Sequence, residues 1–86
     1  MEIKYTDEAK EDLLFWKTSG QVSVMKKISS LIDSIPLTPY AGIGKPEGLK
    51  YNFSGYWSRR INQEHRLIYE VFEDYVLIHS LRGHYL

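Results

Sequence analysis

The sequence has 86 residues, of which 43% are hydrophobic and 14% aromatic, and its 11 basic and 11 acidic residues give a formal net charge of zero. This length predicts one small soluble domain spanning residues 1 to 86, and the absence of cysteine excludes disulfides and thiolate zinc sites. Because the charged start lacks the apolar core of a signal peptide and no apolar run approaches the roughly 20 residues of a membrane helix, we expect a cytoplasmic protein with no membrane partner.

The first part of the chain predicts a short strand followed by two helices. Residues 2 to 5 alternate polar and apolar side chains, which is typical of a strand. Thr6 is placed to cap a helix, since two acidic residues and then apolar residues at helical spacing follow it as far as Trp16. A second apolar stripe runs from Val24 to Ile35 and ends at a proline. A short Thr-Ser-Gly segment joins the two helices, so we expect them to pack as a hairpin.

The second part of the chain predicts a sheet. Residues 36 to 46 hold all three prolines and predict a loop. Aromatic and β-branched residues then predict four strands, at residues 48 to 53, 56 to 62, 66 to 72 and 75 to 82. Short loops between the last three imply antiparallel hairpins. The expected order is β-α-α-β-β-β-β, an α+β fold in which a helical hairpin packs on one face of a mainly antiparallel sheet.

Positive charge is concentrated in residues 42 to 66, where five cations stand against two acids. The cations are Lys45, Lys50, Arg59, Arg60 and Arg66. If the third and fourth strands turn on residues 62 to 64, Arg60 and Arg66 lie directly opposite each other, about 5 Å apart at Cβ. Two facing guanidiniums repel unless an anion lies between them, and their planar forks match phosphate. Each cation taken singly is also compatible with a solvated surface position.

Arg59 differs from its neighbour by strand alternation. Successive side chains of a strand point to opposite faces, so Arg59 should point away from the face that holds Arg60. We therefore expect Arg59 to be a surface residue or to contact a helix. Aromatic residues interleave with the cations, which is typical of proteins that bind single-stranded nucleic acid, although small sheets also use aromatics in their cores. These residues are Tyr51, Phe53, Tyr56 and Trp57.

The sequence also offers an acid and a base for cleaving a phosphodiester in RNA. Such cleavage needs a base for the 2′-hydroxyl proton, a cation for the charged transition state and an acid for the leaving 5′-oxygen. Glu47 lies among cations that would keep it ionised as a base, and as an alternative it forms ordinary surface salt bridges. His84 titrates near neutrality and could be the acid, or it is a terminal residue without a role. For His84 to share a face with Arg66, the chain needs an odd loop at residues 73 to 75 or a bulge at Gly83.

The other two histidines have structural interpretations. His79 lies between apolar residues by alternation and predicts a packed or interface side chain, and His65 predicts a turn residue. Three histidines without cysteine or regular i, i+4 spacing give no metal site, and no cofactor is expected.

Three motifs in this order, GKPEGLK, SGYWSRRINQEHRLIY and the terminal RGHY, closely resemble the YoeB toxins of the RelE superfamily. The resemblance covers nearly the whole chain and implies a RelE-like fold and a ribosome-dependent endoribonuclease that cleaves mRNA in the ribosomal A site. Carried over by position, it implies that Glu47 is the general base, Arg66 the transition-state arginine and His84 the general acid. The positions that hold phosphate or substrate in the family fall on Lys50, Arg60 and Tyr85.

The same resemblance implies a mechanism and partners. The 2′-hydroxyl attacks the adjacent phosphate without a metal and leaves a cyclic or 3′-phosphate and a 5′-hydroxyl. It further implies a homodimer and a YefM-like antitoxin with a disordered segment that folds over the toxin. Two alternatives stay open: a non-nuclease toxin of the ParE branch that binds DNA gyrase, and a non-catalytic RNA-binding module.

Overall fold

The computed structural model describes residues 1–83, so the predicted site residues His84 and Tyr85 lie outside the described part of the chain. Its regular elements follow the predicted order. They are β1 (Glu2–Tyr5), α1 (Asp7–Thr18), α2 (Val22–Ser34), β2 (Glu47–Gly48), β3 (Tyr56–Arg60), β4 (Arg66–Val71) and β5 (Tyr75–Ser80), with a short 3-10 helix at Tyr51–Phe53. No helix within residues 1–83 is both long enough and apolar enough to cross a membrane.

Both helices form where the local sequence favours them. The Thr6 hydroxyl accepts a hydrogen bond from the Ala9 amide (3.1 Å), which confirms the predicted N-cap, and it donates to the carbonyl of His79 in β5 (2.8 Å). Helix α2 is amphipathic and buries Val24, Ile28 and Leu31. The cap therefore joins the start of α1 to the sheet as well as satisfying the helix.

The sheet has the strand order β1-β5-β4-β3-β2. Strand β1 runs parallel to β5, and the other neighbouring pairs are antiparallel. The helices pack on the face that carries alternate residues of the central strands, including Leu67, Tyr69, Val76 and Ile78. This arrangement confirms the predicted α+β fold with a helical hairpin on a mainly antiparallel sheet.

We call the side of the sheet away from the helices the second face. Residues that face each other across neighbouring strands lie on the same side of a sheet. By this rule the registers place one row across four strands of the second face, made up of Glu47, Ser58, Ile68 and Ser80. The next row on the same face holds Arg60 opposite Arg66.

The predicted strand at residues 48 to 53 was wrong. Strand β2 ends at Gly48, and the last backbone bond from this segment to β3 joins the Leu49 amide to the Tyr56 carbonyl (2.8 Å). Tyr51 then adopts φ +58°, in the left-handed region, and begins the 3-10 turn. A residue in that conformation cannot continue an extended strand. The chain therefore leaves the sheet after Leu49.

Strand β5 changes its register at His79. Tyr69 pairs with Ile78 and Ile68 pairs with Ser80, so His79 is an extra residue, which defines a β-bulge. The loop from β4 to β5 does not supply the odd length considered from the sequence, because the Phe72 amide donates to the Tyr75 carbonyl (2.8 Å) across two residues. The bulge at His79 thus re-aims the end of β5, and Gly83 follows with φ +70°.

Candidate active site

The predicted pair of arginines lies together on the second face. Arg60 and Arg66 are direct partners in the antiparallel register of β3 and β4, as the sequence predicted. Arg60 is exposed, and its amide donates to the carbonyl of Gly44 (2.6 Å), which ties the preceding loop to this end of β3. Two positive charges therefore lie on neighbouring strands of the second face, at the end of the sheet that carries the turn between β3 and β4.

The turn between β3 and β4 holds one nitrogen of the Arg66 guanidinium. Its Nη1 donates to three carbonyl oxygens of that turn, those of Asn62 (2.9 Å), Gln63 (3.2 Å) and His65 (3.2 Å). Within residues 1–83, Nε and Nη2 of Arg66 have no hydrogen-bond partner. The carbonyls fix the orientation of the group and leave two donors on one edge, the geometry that binds phosphate in a bidentate manner.

Glu47 lies on the same face, two strands from Arg66. It is the direct partner of Ser58, and its side chain is exposed. Among the described residues it forms no ion pair. An open depression of about 370 Å³ begins at Glu47, continues through Lys50 and ends at Phe53. Residues 1–83 therefore do not show the surface salt bridge that the sequence left open for Glu47, and its carboxylate is accessible to a ligand.

Tyr51 is the most exposed of the four aromatics that the sequence places among the cations. The residue lines the depression, as Lys50 does, and it is 92% exposed. The other aromatics of the segment are structural to a greater degree, since Tyr56 stacks on His79 (4.5 Å between ring centroids) and Trp57 packs against Tyr40 and the core. Exposure to solvent together with a left-handed backbone could have been recognised only from the structure.

Arg59 is fully buried, so the expectation that it could be a surface residue was wrong, whereas the alternative of a helix contact is confirmed. Its guanidinium donates to the hydroxyl of Ser34 in α2 (2.9 Å) and to the hydroxyl of Tyr69 (3.2 Å). Further bonds reach the loop carbonyls of Thr38 (2.5 Å), Ala41 (2.7 Å) and Ile43 (3.2 Å). No carboxylate of the described residues pairs with this buried cation.

These bonds make Arg59 the anchor of the loop that leads to Glu47. The Tyr69 hydroxyl strengthens the anchor by donating to the Pro39 carbonyl (2.6 Å). Burial raises the pKa of Tyr69 above its ordinary value, an effect that the hydrogen bond from Arg59 partly offsets. Gly44 closes the loop at φ +83°, and a Cβ there would lie 2.7 Å from a methyl carbon of Leu31. The loop therefore follows a path set by a buried cation and by a glycine.

The end of the described chain is tied beside Arg66. Leu81 donates its amide to an Asp12 carboxylate oxygen (2.9 Å) and accepts from Trp16 Nε1 (2.8 Å), so α1 holds the chain just after β5. The Arg66 amide then donates to the Gly83 carbonyl (2.8 Å). Residue 83 consequently lies at the same end of β4 as the Arg66 guanidinium, and His84 and Tyr85 follow outside the described residues.

The remaining histidines have distinct surroundings. His79 stacks on Tyr56, and its Nε2 lies 3.0 Å from a Glu70 carboxylate oxygen, which confirms the prediction of a packed histidine. His65 follows the turn as predicted, and its Nδ1 accepts a hydrogen bond from the Gly83 amide (2.8 Å), a contact that the sequence did not indicate. Across the described residues, no group of three histidine or carboxylate side chains could hold a metal ion.

Comparison with known proteins connects this geometry to a family. The family model described as YoeB-like toxin of bacterial type II toxin-antitoxin system matches residues 5–85. The curated Toxin YoeB of Escherichia coli strain K12 is 46% identical over 85 residues, which cover 99% of this chain and 100% of that protein. Toxin YoeB of Synechocystis sp. is 48% identical and covers 99% of this chain and 98% of that protein.

Solved structures agree with the match. A YoeB/ParE toxin from Agrobacterium tumefaciens is 39% identical with a TM-score of 0.93, covering 99% of this chain and 100% of that one. A YoeB dimer and a YoeB-YefM complex, both from Staphylococcus aureus, are 42% identical with TM-scores of 0.89 and 0.87, and each covers 99% of this chain and 98% of that one. The motifs, the fold of residues 1–83 and the family match over residues 5–85 agree, and the chain belongs to the YoeB-like toxins of bacterial type II toxin-antitoxin systems.

Proposed function

We propose that this toxin is a ribosome-dependent endoribonuclease that cleaves mRNA in the A site and thereby inhibits translation. The observation that carries the proposal is the facing pair Arg60 and Arg66, with two guanidinium nitrogens of Arg66 lacking a protein partner within residues 1–83. Like charges placed directly opposite each other destabilise a sheet, so their retention is explained best by an anion that binds between them. A phosphate of the message is such an anion.

The proposed chemistry divides three roles among three elements. Glu47 on β2 takes the proton of the 2′-hydroxyl, and the resulting oxygen attacks the adjacent phosphorus. Arg66 donates to the non-bridging oxygens as negative charge develops in the transition state, and Arg60 and Lys50 bind the phosphate backbone. His84 protonates the leaving 5′-oxygen. The products are a cyclic or 3′-phosphate and a 5′-hydroxyl, and no metal takes part.

We propose that Tyr85, the residue after His84, binds substrate.

We also propose that this chain has the same kinds of partner as its relatives. Staphylococcus aureus YoeB forms a dimer and a complex with YefM, which supports a homodimer and a YefM-like antitoxin here. The antitoxin would bind over the cationic second face and block it. We propose that residues 1–86 act as one domain in the cytoplasm, where ribosomes are found.

Cleavage on programmed ribosomes tests this function. Wild-type protein should cut A-site mRNA, and Arg66→Ala and His84→Ala should each cut it roughly 10²- to 10⁴-fold more slowly while ribosome binding stays nearly unchanged. Unchanged cleavage in both variants would remove the mechanism. DNA damage with trapped gyrase and no mRNA cuts would favour a ParE-like toxin instead, and tight salt-dependent RNA affinity without products would favour a binding module.

A further inference from the structure

The geometry points to His65 as a positioning residue that holds Gly83 beside Arg66 by accepting a hydrogen bond from the Gly83 amide. This inference rests on the proposed function, in which His84 supplies the acid directly after Gly83. His65 itself has no part in the proposed chemistry. Its effect would be to fix the point from which residue 84 begins.

Gly83 is held through both of its backbone polar groups. Its amide donates to Nδ1 of His65 (2.8 Å), and its carbonyl accepts from the Arg66 amide (2.8 Å). The two partners are consecutive residues at the start of β4. Because Arg66 also carries the guanidinium of the proposed site, Gly83 and the phosphate-binding group are both attached to the start of β4.

Side chains supply most of the hydrogen bonds that hold the chain just after β5. Strand β5 ends at Ser80, and beyond it the described residues form one backbone bond to β4, from the Arg66 amide to the Gly83 carbonyl. Asp12 and Trp16 hold Leu81, and His65 holds Gly83. Without the His65 bond, the Gly83 amide would have no partner within the described residues, and one of the two restraints on residue 83 would be lost.

His65 itself contacts α1 through its ring and the turn through its backbone amide. Its ring packs edge-on against Trp16, with 5.0 Å between the centroids, and its amide donates to the Asn62 side-chain oxygen (2.8 Å). A backbone amide can only donate, so Nδ1 is the unprotonated nitrogen and a neutral ring carries its proton on Nε2. Nε2 lies 4.0 Å from a Glu64 carboxylate oxygen, too far for a hydrogen bond, so the acceptor role of Nδ1 rests on its contact with the Gly83 amide.

Two amide substitutions distinguish the effect of the hydrogen bond from Gly83 to His65 (the tether) from the effect of lost ring packing. His65→Asn places a side-chain oxygen at the same number of bonds from the backbone as Nδ1, whereas His65→Gln places it one bond further out, where Nε2 lies. Both remove the ring from Trp16, so they are matched for lost packing. The measurements are single-turnover mRNA cleavage at saturating toxin on programmed ribosomes, the half-saturating toxin concentration, and hydrogen exchange of the Gly83 amide in the free protein.

His65→Asn should keep the cleavage rate within a few-fold of wild type and keep the Gly83 amide slow to exchange. His65→Gln should lose about 10- to 100-fold in rate, with little change in half-saturation, because a small displacement of a catalytic group costs rate and not binding. Equal rates for the two variants, or fast Gly83 exchange in wild type, would overturn the inference. If wild type does not cleave at all, the proposed function fails, and with it the catalytic role of the tether.

Discussion

Arg60 and Arg66 face each other across β3 and β4 at the end of the sheet that carries the turn. Directly opposed like charges destabilise a pair of strands, and opposite charges stabilise it by up to about 1 kcal/mol. Arg60→Glu should therefore stabilise the free protein slightly and lower mRNA cleavage, because the new carboxylate would occupy Arg66 in place of phosphate. Arg60→Gln is the control that removes repulsion without adding an acid. Urea unfolding and cleavage assays check both signs, and a less stable, fully active Glu variant would contradict the phosphate site.

Glu47 is the proposed general base, and it forms no ion pair within residues 1–83. Glu47→Gln should slow single-turnover cleavage by roughly 10²- to 10⁴-fold, because the amide cannot take the 2′-hydroxyl proton. Glu73→Gln is the matched control, since Glu73 is exposed in the turn between β4 and β5, outside the proposed chemistry. Equal loss in both variants would show that general surface charge, and not a base at Glu47, determines the rate.

Tyr51 offers an exposed ring beside Lys50 in the depression that begins at Glu47. If a base of the message stacks on it, Tyr51→Ala should weaken binding to the programmed ribosome by about 1 to 3 kcal/mol, and Tyr51→Phe should retain it. The stability of the free protein should change little because the side chain has few contacts to lose. Half-saturating concentrations for cleavage provide the measurement, and equal affinity of the Ala and Phe variants would argue against stacking.

Arg59 is buried and stabilises the folded protein through its hydrogen bonds. Arg59→Lys should reduce the free energy of unfolding by more than about 3 kcal/mol, because one ammonium cannot replace a fork that bonds two hydroxyls and three carbonyls, and buried acceptors are left unpaired. Arg60→Lys, one residue away and exposed, should change it by less than about 0.5 kcal/mol. Chemical denaturation measures the free energy of unfolding of both variants. Equal values for Arg59→Lys and Arg60→Lys would contradict the role of Arg59 as the anchor of the loop.

The contribution of Tyr69 to the stability of the protein depends on pH. Burial raises the pKa of the Tyr69 hydroxyl above 10.0, so the folded state favours the neutral phenol. The stability that follows from this shift is fully present below pH 10. It is lost as the pH rises through the folded-state pKa. Tyr69→Phe should be less stable near neutrality, through its lost bonds to Pro39 and Arg59, and should lose less stability above pH 10. Tyr5→Phe should also flatten the alkaline decline, since burial raises that pKa too. Denaturation at several pH values measures both, and an unchanged slope in Tyr69→Phe would contradict the assignment.

Local chemistry determined several features that can be recognised in the sequence. Thr6 caps α1 because its hydroxyl reaches an amide three residues away, and two-residue alternation with a short turn places Arg60 opposite Arg66. The same alternation separates Arg59 from Arg60. These predictions succeeded because each depends on residues that are close along the chain or related by one hairpin.

Long-range contacts decided the rest. Whether Arg59 would be exposed or buried depended on α2 and the loop after it, which supply acceptors up to 25 residues away. The bulge at His79 depended on how β5 meets β4, and the bond from Gly83 to His65 joins residues 18 positions apart. Periodicity determines which face of a strand a side chain occupies. Only the tertiary structure determines what lies against that face, because burial and hydrogen-bond partners come from segments distant in the sequence.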